Sequence, residues 1–206
     1  MSLAGDPERA GDALSDPASH PMVMLARWMD AAGTLGVREP ESICLSTVDA
    51  KGVADARMVS LKTVDAAGVV FGTSSLSPKG LQLRANPSAC AVLYWKETLQ
   101  QVRIRGEIAR LDEATSDVLF AARDRWARAV SRESQQSQPM VDVDALRGRV
   151  RAAAESDDPL TRPPAWFAYR LRPRVVEFWH GRHDRFHARL RYHESPSGWE
   201  TQLLQP

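Results

Sequence analysis

"SACAVLYWKETLQQVRIRGEIARL", residues 88–111, places two runs of β-branched and aromatic side chains on either side of a short Lys-Glu-Thr turn. Two such runs joined by a polar turn read as an antiparallel hairpin. The same grain extends backwards through "VVFGTS" (69–74), "ARMVSLKTV" (56–64) and "ICLSTVD" (43–49), punctuated by "DAAG" and "DAKG" turns. Five strands within about seventy residues, mostly hairpin-linked, predict an antiparallel sheet or barrel. The predicted class is mainly β with flanking helices (α+β).

The hairpin run is interrupted once, by "SPKGLQLRANP" (77–87). Ser77 can cap a short helix with Pro78 in its first turn and Pro87 ending it. Free backbone N–H groups at such a helix start suit a phosphate. Upstream, Met22, Leu25, Trp28, Met29, Ala32 and Leu35 recur at three- and four-residue steps, with Pro21 in a first turn and Gly36 as a cap, predicting an amphipathic helix. Downstream, "DEATSDVLFAARDRWARAV" (112–130) and "DVDALRGRVRAAAES" (142–156) read as two helices, each opened by an aspartate. After the Pro-rich break at 159–164, strands return as "WFAYRLRP", "RVVEFWHG", "FHARLRYH" and "WETQLLQ". Residues 1–19 are rich in Gly, Pro, Asp and Ser without apolar period, so the expectation is a disordered arm followed by one domain over 20–206.

Composition narrows the function classes. The 206 residues carry a formal net charge of +1 with 43% hydrophobic and 26% charged residues, the balance of a soluble globular domain. Charge is segregated: the first fifty residues are acid-rich, whereas 162–191 hold eight arginines against two acids, which suggests one local anion site. No run approaches the ~18 apolar residues of a membrane span and no signal-peptide pattern opens the chain, so a cytoplasmic location is expected. Cys44 and Cys90 lie within apolar stretches and read as small buried hydrophobes.

The basic surplus peaks in "EFWHGRHDRFHARLRY", residues 177–192. As a strand it sets Arg185, His187, Arg189 and Arg191 on one face and Phe186, Ala188, Leu190 and Tyr192 on the other. A helical reading groups Arg182, Arg185 and Arg189 instead, but the aromatics and the following turn favour the strand. Metal binding by His180, His183 and His187 is disfavoured, because the interleaved arginines repel a dication and no cysteine or carboxylate cluster completes a shell. Nucleic-acid binding needs a more extended basic face. The remaining readings are a solvated charged surface and a strand that holds an anion through arginine's planar fork.

Read together, "RMVSLK" (57–62), "SPKG" (77–80), "YWKETLQQVRIRG" (94–106), "QQS" (135–137), "EFWHGRHDRFHARLRY" and the terminal "LLQP" resemble, in this order and spacing, the pyridoxamine 5′-phosphate oxidase family. The resemblance runs from about residue 21 to the C-terminus. It implies an FMN-binding split β-barrel, antiparallel and Greek-key-like, in a homodimer with FMN between subunits. It further implies that Arg57, Met58, Val59 and Lys62 meet the flavin, that Thr73, Lys79, Gln136 and Ser137 serve its phosphate, and that Gln101, Trp179 and Arg189 complete the cofactor site. Arg185 and His187 would be catalytic, and with Lys62 and Arg123 would face a small anionic aromatic substrate. No metal is implied.

Several positions depart from the vitamin B6 enzymes' pattern. Pro78 stands where the family usually has arginine and Gly72 where it has tyrosine, so weaker FMN binding is expected. Where B6 enzymes grip the substrate phosphate with tyrosine, arginine and serine, this chain has Leu119, Arg123 and Ala127. A pocket poor in hydroxyls suits a flatter, more apolar acid. The pattern looks most like the phenazine-biosynthesis branch, which oxidises dihydrophenazine carboxylates with FMN and oxygen. A pyridoxamine or pyridoxine 5′-phosphate oxidase and a non-catalytic flavin binder are the alternatives.

Overall fold

The structure, a computed structural model, describes residues 5–206. Its strands are β1 (Ser42–Val48), β2 (Ala54–Ser60), β3 (Thr63–Asp65), β4 (Gly68–Ser74), β5 (Ser88–Trp95), β6 (Gln100–Arg110), β7 (Trp166–His180), β8 (Ala188–Ser195) and β9 (Gly198–Leu203). All pair antiparallel in one sheet ordered β2-β1-β5-β6-β7-β4-β3, with β8 and β9 continuing from β7. The helices are α1 (Pro21–Thr34), α2 (Pro78–Ala85), α3 (Glu113–Ala121), α4 (Arg125–Glu133) and α5 (Val143–Glu155). The mainly β, antiparallel class with flanking helices is therefore as expected, and the sheet is not closed.

Period-two alternation decides which face is core. In β1, Ile43, Leu45 and Thr47 are buried while Ser42, Cys44 and Ser46 are half-buried on the other face. Trp28 of α1 packs edge-on against Phe178 at 5.0 Å, and Phe178 meets Tyr192 at 5.7 Å, so α1 packs onto the core face of the sheet.

The sheet splits along β7. Its first half pairs with β4 from Trp166 to Leu171 and its second half with β8 from Val175 to His180, while β6 runs beside both. Pro173, which has no N–H to offer a ladder, lies at the changeover. It faces Gly106 across a register shift in β6, and a Cβ on Gly106 would lie 1.9 Å from the Arg172 carbonyl oxygen. Gly106→Ala is expected to cost about 3 kcal/mol or more, since backbone rather than a movable side chain blocks the methyl group. Urea unfolding measures it.

Three expectations are corrected. The two strands predicted around Pro173 are one, because β6 supports the chain through the changeover. The single helix predicted over 112–130 is two, because Asp124 accepts the Ala127 N–H at 2.9 Å and starts α4 afresh. The predicted disordered arm is, for residues 5–19, laid against the domain; residues 1–4 lie outside those described. It forms a 3-10 turn at Pro7–Ala10. Asp6 N donates to Glu97 O, Trp28 Nε1 to Ala13 O at 3.2 Å, and the buried Tyr192 hydroxyl to Ala18 O at 2.8 Å. Burial pushes the Tyr192 phenol up to about 12. Polar composition concealed this because the arm is held largely through its backbone groups, accepting from Trp28 and Tyr192 and donating to Glu97 O, rather than through apolar side chains in a regular period.

Candidate functional site

A cavity of about 710 Å³ opens where β2, the end of β4, the start of α2, the α3–α4 turn and the 136–137 loop meet. Among the predicted residues, Arg57, Met58, Val59, Lys62, Thr73, Lys79, Arg123, Gln136 and Ser137 all line it. Each arrives by a local rule. Ser77 caps α2 and bonds back to Ser74 O at 2.7 Å, folding Lys79 against the end of β4. Thr73 Oγ1 donates to Gln136 Oε1 at 3.3 Å, which ties the polar 134–141 loop to the same wall.

Lys79 is the informative member. Its residue is 6% exposed, and its ammonium donates at 3.4 Å to the hydroxyls of Thr73 and Ser77. Among the described residues no carboxylate forms an ion pair with it. Burial first, and the nearby Arg57 cation second, hold its pKa below the usual lysine value. A buried cation bonded only to hydroxyls is costly unless an anion completes it. Four cations line the cavity, Arg57, Lys62, Lys79 and Arg123, against the two acids Asp55 and Asp124. Both acids are engaged, Asp55 with Arg57 at 2.5 Å and Asp124 as the α4 cap. This donor set fits an anionic group of phosphate character.

Arg57 itself is fixed by neighbours the sequence did not single out. Its guanidinium donates to Thr47 Oγ1 at 2.6 Å, Leu45 O at 3.2 Å and Gln82 Oε1 at 3.1 Å, besides Asp55. Gln82 in turn bonds Asp55, and that bond and the Arg57 charge hold the Asp55 carboxyl below the usual carboxylate range.

The remaining wall is apolar. Leu119, Ala122 and Ala127 line the cavity together with Trp166, around Arg123. Arg123 lies 5.2 Å from the centre of the Trp166 ring and 5.5 Å from that of Phe120, and donates to Ser131 Oγ at 2.8 Å. Burial presses its pKa below the ordinary arginine value. Trp166 also explains Gly72: a Cβ there would lie 2.1 Å from the indole, so the space a larger residue would need is filled from β7. No local pattern marks Trp166, because the register that brings it beside β4 is set by strand pairing between Ser74 and Trp166, distant in the chain.

The other predicted residues lie elsewhere. Gln101, Trp179 and Arg189 are cross-strand partners on β6, β7 and β8, on the sheet face away from the core. The line Met58–Cys44–Val92–Arg103–Glu177–Arg191 crosses six strands, so β2 and β8 stand about 24 Å apart along the sheet at ~4.8 Å per strand. One protomer does not bring Arg57 and Arg189 into a common cavity.

Arg185 and His187 are corrected in position. Strand β8 begins at Ala188, so neither belongs to a cationic strand face. Residues 182–187 form a turn instead, in which Arg185 N donates to Arg182 O, Phe186 N donates to Asp184 Oδ1 at 2.9 Å, and Arg185 adopts φ +68°. His187 Nδ1 accepts the Arg182 N–H at 3.0 Å and its ring lies 4.8 Å from that of Trp179. With Nδ1 accepting, the neutral ring carries its proton on Nε2. No cluster of metal ligands occurs among the described residues, and no helix is long and apolar enough to cross a membrane.

Residues 30–157 match the family described as pyridoxamine 5′-phosphate oxidase, and residues 166–206 match the pyridoxine 5′-phosphate oxidase C-terminal dimerisation region. The dihydrophenazinedicarboxylate synthase of Pseudomonas chlororaphis is 36% identical over 205 residues, covering 100% of this chain and 92% of the relative. The pyridoxine/pyridoxamine 5′-phosphate oxidase of Caulobacter vibrioides is 40% identical over 188 residues, covering 90% of this chain and 85% of the relative. Among solved structures, PhzG from Burkholderia lata 383 in complex with tetrahydrophenazine-1-carboxylic acid superposes with a TM-score of 0.90 at 37% identity, with all of both chains covered.

Proposed function

The chain belongs to the pyridoxamine 5′-phosphate oxidase family, and from this we propose that it is an FMN-dependent oxidase of a dihydrophenazine carboxylate, working as a homodimer with FMN at the subunit interface. The observation that carries the choice of substrate is the wall around Arg123, where Leu119, Ala122, Ala127 and Trp166 offer no hydroxyl. A flat aromatic acid gains apolar contact there and one charge-assisted bond, whereas a phosphate monoester leaves acceptors unmatched.

Lys79, through its ammonium and its backbone N–H, with Thr73, Gln136 and Ser137 holds the cofactor phosphate, and Arg57, Met58, Val59 and Lys62 hold its ring system. The partner subunit's Gln101, Trp179 and Arg189 close the site from the other side, in keeping with the dimerisation region matched by 166–206. Bound there, FMN would supply two-electron chemistry: hydride acceptance from the reduced substrate, with dioxygen as final acceptor and hydrogen peroxide as the product. The cationic and amide donors around it favour the negative charge that reduction brings. Arg123 and Lys62 orient the substrate carboxylate, Arg185 supplies a second charge, and His187 donates a hydrogen bond to the substrate from Nε2–H, the ring edge not held by Arg182. Trp166 and Leu119 exclude water from the apolar side.

Oxygen uptake by the FMN-loaded protein with a dihydrophenazine carboxylate, against pyridoxamine 5′-phosphate, is the test. The expected result is rapid uptake with the first and feeble uptake with the second. Rapid conversion of pyridoxamine 5′-phosphate instead establishes the B6 activity, and FMN binding without uptake on either establishes a flavin carrier. Leu119→Tyr combined with Ala127→Ser is expected to raise kcat/KM for pyridoxamine 5′-phosphate about tenfold or more, the worth of one or two restored bonds to phosphate.

A further inference from the structure

Glu177 is a buried acid in the most basic stretch of the chain, its side chain 5% exposed, and none of the roles above uses it. It stands on the sheet face that carries Gln101, Trp179 and Arg189. Arg103 Nη2 donates to Oε2 at 2.5 Å, while Arg189 donates to Oε1 from Nε at 3.0 Å and from Nη2 at 2.7 Å. Arg189 Nη1 donates to Gln205 O at 3.1 Å, so all three guanidinium nitrogens are held. Its register neighbour Arg191 is diverted to Gln202 and does not compete for the carboxylate. Burial alone would raise the Glu177 pKa, but the bonds from Arg189 and Arg103 outweigh it and keep the carboxyl below its usual range.

A long arginine side chain has several rotors, and an arginine that must meet a planar cofactor gains from being locked before binding. On the flavin reading of the site, we propose that Glu177 is a positioning residue: it fixes the Arg189 guanidinium in the orientation that receives the cofactor of the partner subunit. Arg103 takes the other carboxylate oxygen, so the group of two arginines and one acid keeps a net positive charge while Glu177 stays fully paired. Glu177 does not itself touch the cofactor.

The test is a double-mutant cycle on the full-length dimer, reading FMN dissociation constants from quenching of free-flavin fluorescence. Glu177→Gln is expected to weaken binding about tenfold, Arg189→Ala by at least as much, and the double variant no more than Arg189→Ala alone. Multiplying effects would mean that Glu177 only braces the sheet, and a Glu177→Gln constant within about twofold of the wild type would mean that it does nothing for Arg189; either overturns the proposal. Should Glu177→Gln not fold, Arg189→Lys serves in its place. It keeps the charge and loses the fork, and binding as tight as the wild type would show that orientation is immaterial and overturn the proposal equally. A wild-type protein that binds no FMN defeats the cofactor reading as well, whereas wild-type binding with an unaffected Glu177→Gln defeats this inference alone.

Discussion

Replacing Lys79 with methionine is expected to raise the melting temperature of the flavin-free protein by about 2–4 °C while weakening FMN binding about a hundredfold. The two effects have one cause. Lys79 is buried with hydroxyl partners only, so the folded state disfavours its charge, first through burial and then through Arg57. Its folded pKa lies below the ordinary 10.5 of the unfolded chain. Between the two values the unfolded chain binds the proton more readily, so this group makes stability rise with pH across that window; below the folded value its full penalty applies. Methionine removes the penalty and keeps the stem. The stabilisation by Lys79→Met is therefore expected to shrink as pH rises through the lowered folded value towards 10.5, which thermal scans at several pH values read directly. A lower melting temperature for the variant at neutral pH would show that the ammonium contributes to folding, and that the cavity is not built around an absent anion.

The second large effect concerns sharing of the site between subunits. Arg57→Ala and Arg189→Ala chains, each alone, are expected to form dimers with little FMN affinity. Co-expressed, they are expected to regain about a quarter of the wild-type sites, because half of randomly paired dimers are mixed and each mixed dimer has one site with both arginines intact. If every site drew both arginines from one chain, mixing would restore none. Flavin content of the purified mixture distinguishes the outcomes, and the separation of about 24 Å between β2 and β8 along the sheet is the reason to expect restoration.

The sequence was most legible where a local rule decides the outcome. Short β-branched and aromatic runs bounded by polar turns, such as "ICLSTVD" and "QQVRIRGEIARL", marked strands, and Ser77-Pro78 announced a helix start at the residue where α2 begins. It was less legible where a side chain competes with a longer pattern. Asp124 broke a continuous helical period, and Asp184 with the Arg182 carbonyl turned the chain through Arg185 before β8 could start. It was least legible where distant segments meet. Nothing near Trp166 says that it will occupy the space beside Gly72, and nothing near Pro7 says that the buried His180 will donate to its carbonyl. The motif residues on β2, β4 and α2 converge in one cavity because short connections join those elements, whereas Gln101, Trp179 and Arg189 depend on strand order.

The uninterrupted run of β7 through Pro173 sets how this chain can vary in length. Trp166 at one end faces the cavity of its own protomer, and Trp179 near the other end stands on the face that the partner would cover. A residue gained or lost midway would turn one of these indoles to the wrong side of the pleat. A change of length is better borne by exposed segments such as 138–141, beyond Gln136 and Ser137, while the central rod keeps its residue count.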